Sequence, residues 1–337
     1  MIIVMKKNAP DKEVQTIMEE MRAKDLQPMP LIGTERVVIA VIGDERSLDV
    51  RHLNSFPGVS KVMPVLRPYT LASRETKQED TTISINGIKI GGKKIIVMAG
   101  PCSVETPAQM AASAKAVKKA GANILRGGAF KPRTGPYSFQ GLGEDGLKLL
   151  RKNADEHKLG VVTEVMDTRD VLLVAKYADI LQIGARNMQN FNLLKEVGKT
   201  KRPVLLKRGM SNTIKEFLLA AEYIMSEGNH EVMLCERGIR TFETETRNSL
   251  DINSVPLLKE LSHLPVIVDP SHATGRRSLV EPVSKAAIAA GADGLMIEVH
   301  PKPEEALSDG DQSLTPKMFT PIMKNLKPIA EAVNRTI

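Results

Sequence analysis

From residue 95 to the carboxyl end, short runs of β-branched and aliphatic residues alternate with stretches whose apolar positions recur every three or four residues. The runs predict strands at Ile95–Ala99, Asn123–Arg126, Gly160–Glu164, Ile180–Ile183, Val204–Lys207, Val232–Glu236, Val266–Asp269 and Gly294–Val299. Helical periodicity lies between them, for example at Pro107–Ala120, Gly146–His157, Thr168–Tyr177, Thr213–Ser226 and Val283–Ala290. Eight strands alternating with eight helices predict an α/β fold of the (β/α)8 TIM-barrel type. A doubly wound open sheet is the competing arrangement. The count of eight, and the lack of a GxGxxG after the first strand, favour the barrel.

Upstream the pattern is different. Ile2–Met5 is an apolar run, and a helical pattern capped by Asp11 continues to Ala23 with Val14, Ile17, Met18 and Met21 on one face. Leu26–Ile32 and Val37–Ile42 read as strands, Asp49–Ser55 as a short helix and Val59–Leu66 as a closing strand. The order βαββαβ predicts a small ferredoxin-like domain over residues 1–66. Residues 67–80 are polar and aperiodic and read as a linker, leaving 81–337 for the barrel and a hairpin before it. Gly91-Gly92, flanked by Thr82–Ile90 and Lys93–Val97, is read as the hairpin turn, with the hairpin plugging the barrel floor.

Composition narrows the function. The 337 residues are 42% hydrophobic and 26% charged, as in an ordinary globular protein. No apolar run approaches the roughly 20 residues that span a bilayer, and Met1–Met5 leads straight into Lys6 and Lys7 without a signal-peptide pattern. A cytoplasmic protein with no membrane partner is expected. The two cysteines, Cys102 and Cys235, are not expected to pair. Net charge is +7, but the basic residues are dispersed and aromatics are only 3%. Nucleic-acid binders concentrate both, so a small anionic substrate explains the excess better.

Barrel enzymes place their chemistry at the carboxyl ends of the strands. Cys102, His272 and Glu298 follow or end strands one, seven and eight, which become neighbours on closure, and Asp309 lies in the loop after strand eight. Mixed sulfur, nitrogen and oxygen donors suit a divalent Zn²⁺, Mn²⁺, Fe²⁺ or Co²⁺. Each residue alone also has an ordinary structural explanation, and the ligand reading rests on the four together. Cys235, inside a strand without such company, reads as inert core.

Arg126, Lys131, Arg133, Arg186, Lys207, Arg237 and Arg276 form a second set. The stretch Arg126–Gly143 carries three cations and five glycines and no carboxylate until Glu144. Glu164 and Glu236 alone cannot balance so many cations, which predicts a ligand set with several negative charges. Arg208 and Arg277 are expected to point away from it.

The motifs AGPCS (99–103), LRGGAFKPRT (125–134), PYSFQGLG (136–143), QIGARNMQNF (182–191), LLKRG (205–209), CERGIRTFE (235–243), DPSHATGRR (269–277) and EVHP (298–301) resemble the 3-deoxy-D-arabino-heptulosonate 7-phosphate (DAHP) synthase family. The likeness covers residues 80–337, and the amino-terminal domain fits the variant of the family with a ferredoxin-like regulatory domain. The resemblance implies condensation of phosphoenolpyruvate with erythrose 4-phosphate on a divalent metal, the first step of the shikimate pathway. It puts Cys102, His272, Glu298 and Asp309 on the metal, and Arg126, Lys131, Ala185, Arg186, Lys207 and Arg237 on phosphoenolpyruvate. Arg133, Thr134 and, by analogy, Arg276 fall near the aldose phosphate, while Lys131, Glu164 and His272 are candidates for catalytic roles. Gly135 departs from the Ser the family commonly has after KPRT. The resemblance further implies a homotetramer and feedback inhibition by an aromatic amino acid, Phe or Tyr, at the small domain.

Three alternatives stay open on sequence. The sister enzyme making 3-deoxy-D-manno-octulosonate 8-phosphate from arabinose 5-phosphate shares the barrel and metal donors, though its family typically has an Asn-Arg pair where this chain has KPRT. A Schiff-base aldolase using Lys207 is opposed by Arg208 beside it and by the metal set. An amino-acid sensor on a dead barrel is opposed by the intact donor set.

Overall fold

The computed structural model describes all residues except 33–35, 66–67 and 134. The sequence boundary at 66/67 and the candidate contact Thr134 therefore lie outside the described residues. The chain divides into two units, Met1–Thr70 and Leu71–Ile337.

The first unit has the order β1 (Ile2–Met5), α1 (Asp11–Arg22), β2 (Gln27–Ile32), β3 (Val37–Ile42), α2 (Val50–Asn54) and β4 (Val59–Met63). The strands form an antiparallel sheet ordered β2-β3-β1-β4. Strand alternation turns Ile3, Met5, Ile39 and Val41 to one face, where they meet Val14, Ile17, Met18 and Met21 of α1. This is the βαββαβ unit the pattern predicted. Asp49 caps α2 by accepting the Arg51 and His52 N–H bonds at 2.8 and 3.3 Å. Asp11 does not cap α1; Pro10 holds the cap position and Asp11 is the first helical residue, where its charge faces the positive helix end.

The second unit is a closed parallel barrel of β7 (Ile96–Gly100), β8 (Ile124–Arg126), β9 (Gly160–Glu164), β10 (Ile180–Ile183), β11 (Val204–Lys207), β12 (Val232–Glu236), β13 (Val266–Val268) and β14 (Gly294–Glu298). Helices α3 (Pro107–Ala120), α4 (Glu144–Glu156), α5 (Val171–Tyr177), α6 (Phe191–Gly198), α7 (Ile214–Met225), α8 (Ser254–Leu261), α9 (Pro270–Thr274), α10 (Arg277–Ala289) and α11 (Pro316–Ala332) connect and follow them. No helix among the described residues is long and apolar enough to cross a membrane.

The barrel interior is filled by Ile96, Met98, Ile124, Val162, Ile180, Leu205, Met233, Cys235, Ile267 and Met296. Burial pushes the Cys235 thiol up to about 12, as suits a core residue without a charged role. Ile83, Ile85 and Ile90 belong to the same cluster and come from the hairpin β5 (Ile83–Ile85) and β6 (Ile88–Ile90), which closes the barrel floor. The hairpin differs from the sequence reading in one respect. Its turn is Asn86-Gly87, with φ of 48° and 81°, the pair a two-residue type I′ turn demands. Gly91 instead lies where a side chain would strike the Thr81 carbonyl, and residues after Gly92 run directly into β7.

Residues Leu71–Thr81 are bonded to the barrel rather than loose. Leu71 and Ala72 N–H groups donate to the Glu222 carboxylate at 2.9 Å each, and Ser73 bridges Ser262. Buried His263 anchors both ends of the segment: Nε2 donates to the Leu71 carbonyl and Nδ1 accepts from the Thr81 hydroxyl, both at 2.7 Å. Burial holds its pKa below the ordinary value, outweighing the Leu71 bond that opposes the shift. The unfolded chain therefore takes up a proton first, and stability falls as pH drops below about 6.5. His263→Gln, which cannot titrate, should be less stable than wild type at pH 8, with the gap in melting temperature narrowing by pH 5.5. Parallel pH profiles for the two proteins would refute this role for His263.

Candidate active site

The carboxyl ends of the strands converge on one polar cavity of about 280 Å³. Arg126, Glu164, Lys207 and Glu298 are the last residues of their strands, Cys102 lies two residues beyond β7, and a single-turn 3-10 helix at Ala185–Asn187 follows β10. Asp269 directly follows β13 and caps α9, accepting the His272 N–H at 2.9 Å, so the short helix delivers His272 to the cavity wall.

Cys102, His272, Glu298 and Asp309 each offer a donor atom within 4.8 Å of the others. Cys102 Sγ is 3.2 Å from Asp309 Oδ2, and His272 Nε2 is 3.3 Å from Glu298 Oε1 and 3.6 Å from Asp309 Oδ2. His272 Nδ1 donates to Asp269 Oδ2 at 2.7 Å, which fixes the tautomer and leaves the Nε2 lone pair directed at the cluster. Burial lowers the His272 pKa against the pull of Asp269 and Glu298, so the ring is neutral. Asp269 is held well below the carboxylate range because His272 and Lys207, the latter at 2.5 Å, outweigh its burial. Burial and Glu298 push the Cys102 thiol up to about 11, so it ionises near neutral pH only against a strong local positive charge. Two carboxylates, a neutral imidazole and a buried thiol in this space fit a divalent transition metal: each carries an available lone pair, and a dication offsets the anionic repulsion.

Beside this cluster the cavity is lined by seven cations, Arg126, Lys131, Arg133, Arg186, Lys207, Arg237 and Arg247, against the carboxylates of Glu164 and Asp309. Lys131 Nζ donates to Cys102 Sγ at 2.9 Å and to the Cys102 carbonyl at 3.1 Å, tying the two sets together. Burial works to lower the Lys131 pKa, but the Cys102 sulfur and Glu164 outweigh it and raise it. Burial likewise lowers the Arg237 pKa despite Asp269. Arg126 Nη1 donates to Glu298 Oε1 at 2.8 Å, while its buried Nε has no acceptor among the described residues. A buried donor without an acceptor costs about 1–3 kcal/mol, and an anion in the cavity would remove that cost.

Ala185 also lines the cavity, and Cys102 and Glu298 join it through the donor cluster they share with His272 and Asp309, so lining and cluster together gather every described candidate but one. The exception is Arg276, which is absent from the lining; its guanidinium is half exposed and pairs with Glu245 at 2.9 Å. Arg208 and Arg277 point elsewhere, but Arg208 is buried rather than solvated, bound to Glu236 and Asp251, while Arg277 donates to the Gly310 and Asp311 carbonyls. Glu236 is thereby drawn out of the cavity's charge balance. Sequence reasoning passed over Arg247, in the aperiodic loop after β12, and Gln312, three residues beyond Asp309. Their only signal was a surplus arginine and an amide beside proposed site motifs.

Residues 75–334 match the DAHP synthetase I family, and residues 1–67 match the DAHP synthase ferredoxin-like domain. Over 333 residues the chain is 50% identical to the phospho-2-dehydro-3-deoxyheptonate aldolase of Thermotoga maritima, covering 99% of this chain and 98% of that one. A crystal structure of phospho-2-dehydro-3-deoxyheptonate aldolase (DAHP synthase) from Thermotoga maritima matches with a TM-score of 0.95 and 49% identity over 99% of this chain and 98% of that one. The 2-dehydro-3-deoxyphosphooctonate aldolase of Geobacter sulfurreducens is 32% identical over 266 residues, 73% of this chain and 97% of that protein. The chain belongs to the DAHP synthetase I family and is an enzyme of that family.

Proposed function

We propose that this enzyme condenses phosphoenolpyruvate with erythrose 4-phosphate to give DAHP and inorganic phosphate in the cytoplasm, with a divalent metal held by Cys102, His272, Glu298 and Asp309. The observation that carries the proposal is the junction of that donor cluster with a cavity of seven cations, joined through Lys131. The two substrates together carry two phosphates and a carboxylate. Arg126, Arg186, Lys207 and Arg237, with Ala185, hold the phosphate and carboxylate of phosphoenolpyruvate, where planar guanidinium forks give bidentate recognition. Arg133 takes the aldose phosphate, together with Thr134 and, by analogy, Arg276 as the resemblance implies, and Arg276 must first leave Glu245.

A divalent ion of the Mn²⁺, Fe²⁺, Co²⁺ or Zn²⁺ type supplies Lewis acidity toward the aldehyde oxygen. The chain's own residues do the rest. The cations hold C3 of phosphoenolpyruvate against C1 of the aldose, so the C–C bond forms between fixed partners. Positive character left at C2 is captured by water, which Glu164 orients and from which it takes one proton; the C2–O bond to phosphate then breaks as the new C2 hydroxyl becomes the carbonyl and its proton leaves with the phosphate. Lys131, kept protonated beside Cys102 and Glu164, donates a proton to the newly formed alkoxide. His272 acts as a neutral ligand positioned by Asp269 rather than as an acid.

The sister reaction with arabinose 5-phosphate is a second reading, since the Geobacter relative is named for an octulosonate. Identity of 50% across the whole chain, small domain included, against 32% across 73% favours the four-carbon sugar. Phosphate release from phosphoenolpyruvate should require erythrose 4-phosphate, stop with EDTA and return with Mn²⁺. Faster release with arabinose 5-phosphate would transfer the assignment, and EDTA-resistant release would remove the metal.

The ferredoxin-like unit supports a regulatory role, and we propose that it binds phenylalanine or tyrosine and inhibits the barrel. Deleting residues 1–66 should leave turnover measurable and abolish inhibition by either amino acid. Inhibition of equal strength in the shortened enzyme would defeat this.

A further inference from the structure

In the donor cluster each carboxylate turns one oxygen inward and has the other tied down. Glu298 Oε1 faces His272 Nε2, while Oε2 accepts a 2.6 Å hydrogen bond from the Gln312 side-chain amide. Asp309 Oδ2 faces Cys102 and His272, while Oδ1 accepts from Arg247 Nη1 at 3.1 Å. The same Arg247 nitrogen donates to Gln312 Oε1 at 3.0 Å, which fixes the amide with its NH₂ toward Glu298. Gln312 is 3% exposed, so its two bonds are made without competition from bulk water.

We infer that Gln312 and Arg247 are positioning residues that bridge the outer oxygens of Glu298 and Asp309 and leave one oxygen of each for the metal. The inference rests on the metal reading of the preceding subsection. Glu298 ends a barrel strand and is rigid, whereas Asp309 sits in a loop with φ of 51°. The bridge registers that loop against the strand. Without it the Glu298 carboxylate keeps only the Arg126 bond at its inner oxygen and loses the one that holds its outer oxygen, and Asp309 loses the cation that holds its inner oxygen toward Cys102. Two carboxylates so close also repel until an ion arrives. Arg247 and Gln312 keep both pointed inward, so less reorganisation accompanies binding.

The test is Co²⁺ binding to the full-length protein, read by the sulfur-to-cobalt charge-transfer absorption that reports Cys102 ligation. Wild type should take up Co²⁺ with this band. Gln312→Leu, which deletes both bonds of the bridge, should weaken the Kd by about 10–100-fold, the range typical for partners of metal ligands. Arg247→Met, at a more exposed position, should weaken it by a smaller factor in the same direction. The metal-free Arg247→Met protein should melt near wild type, whereas Gln312→Leu, which leaves the buried Glu298 Oε2 without its donor, should melt lower, so the Arg247→Met affinity is read free of any folding loss. Unchanged Co²⁺ affinity in both variants would overturn the inference and leave the metal site standing. Failure of wild type itself to bind Co²⁺ would overturn the metal reading and the inference with it.

Discussion

Closure of the barrel between its first and last strands is the constraint on which the site depends. β14 pairs with β7 in parallel register from Gly294 opposite Ile96 to Glu298 opposite Gly100. That register puts a carboxylate that ends the chain's last strand beside the segment carrying Cys102. Gly100 has φ of 152°, and a Cβ there would lie 2.2 Å from the Arg126 carbonyl, so the chain can turn toward Cys102 only with glycine at this point. Residues almost two hundred positions apart thus become neighbours through backbone hydrogen bonding alone, before any side chain contributes.

The second determinant is charge. Buried pairs such as Arg126–Glu298 and Lys207–Asp269 are poor sources of stability, because removing two ions from water costs nearly what their attraction returns. Their value is in position. Each pair fixes a cation at the cavity wall while leaving part of its hydrogen-bonding capacity unspent, and the remaining cations have too few carboxylates to pair with. The cavity therefore carries an excess of positive charge that anions would balance, and the donor cluster an excess of lone pairs that a cation would balance. One ligand set resolves both.

The barrel was legible because β and α periods differ and the strands are apolar through their interiors, and the polar residues closing β8, β9 and β11 (Arg126, Glu164 and Lys207) marked the cavity wall. What escaped has a common cause. Arg247, Gln312 and the Glu245–Arg276 pair sit in irregular loops, where side-chain direction depends on turns that no period encodes. The hairpin turn was misplaced because a Gly-Gly pair looks like a turn; Gly91 in fact serves a close approach to Thr81, and the Asn86-Gly87 dipeptide five residues earlier carried the true signal. The linker reading of residues 67–80 missed contacts that are nonlocal, such as Leu71 and Ala72 with Glu222.

The most direct measurement is anomalous diffraction from crystals of this protein grown with Mn²⁺ and phosphoenolpyruvate. A single Mn²⁺ peak should lie among Cys102 Sγ, His272 Nε2 and the inner oxygens of Glu298 and Asp309, with the phosphoenolpyruvate phosphate against Arg186 and its neighbours in the same cavity. A metal bound elsewhere, or phosphoenolpyruvate outside the seven-cation cavity, would contradict the claim that the two sets of residues form one site.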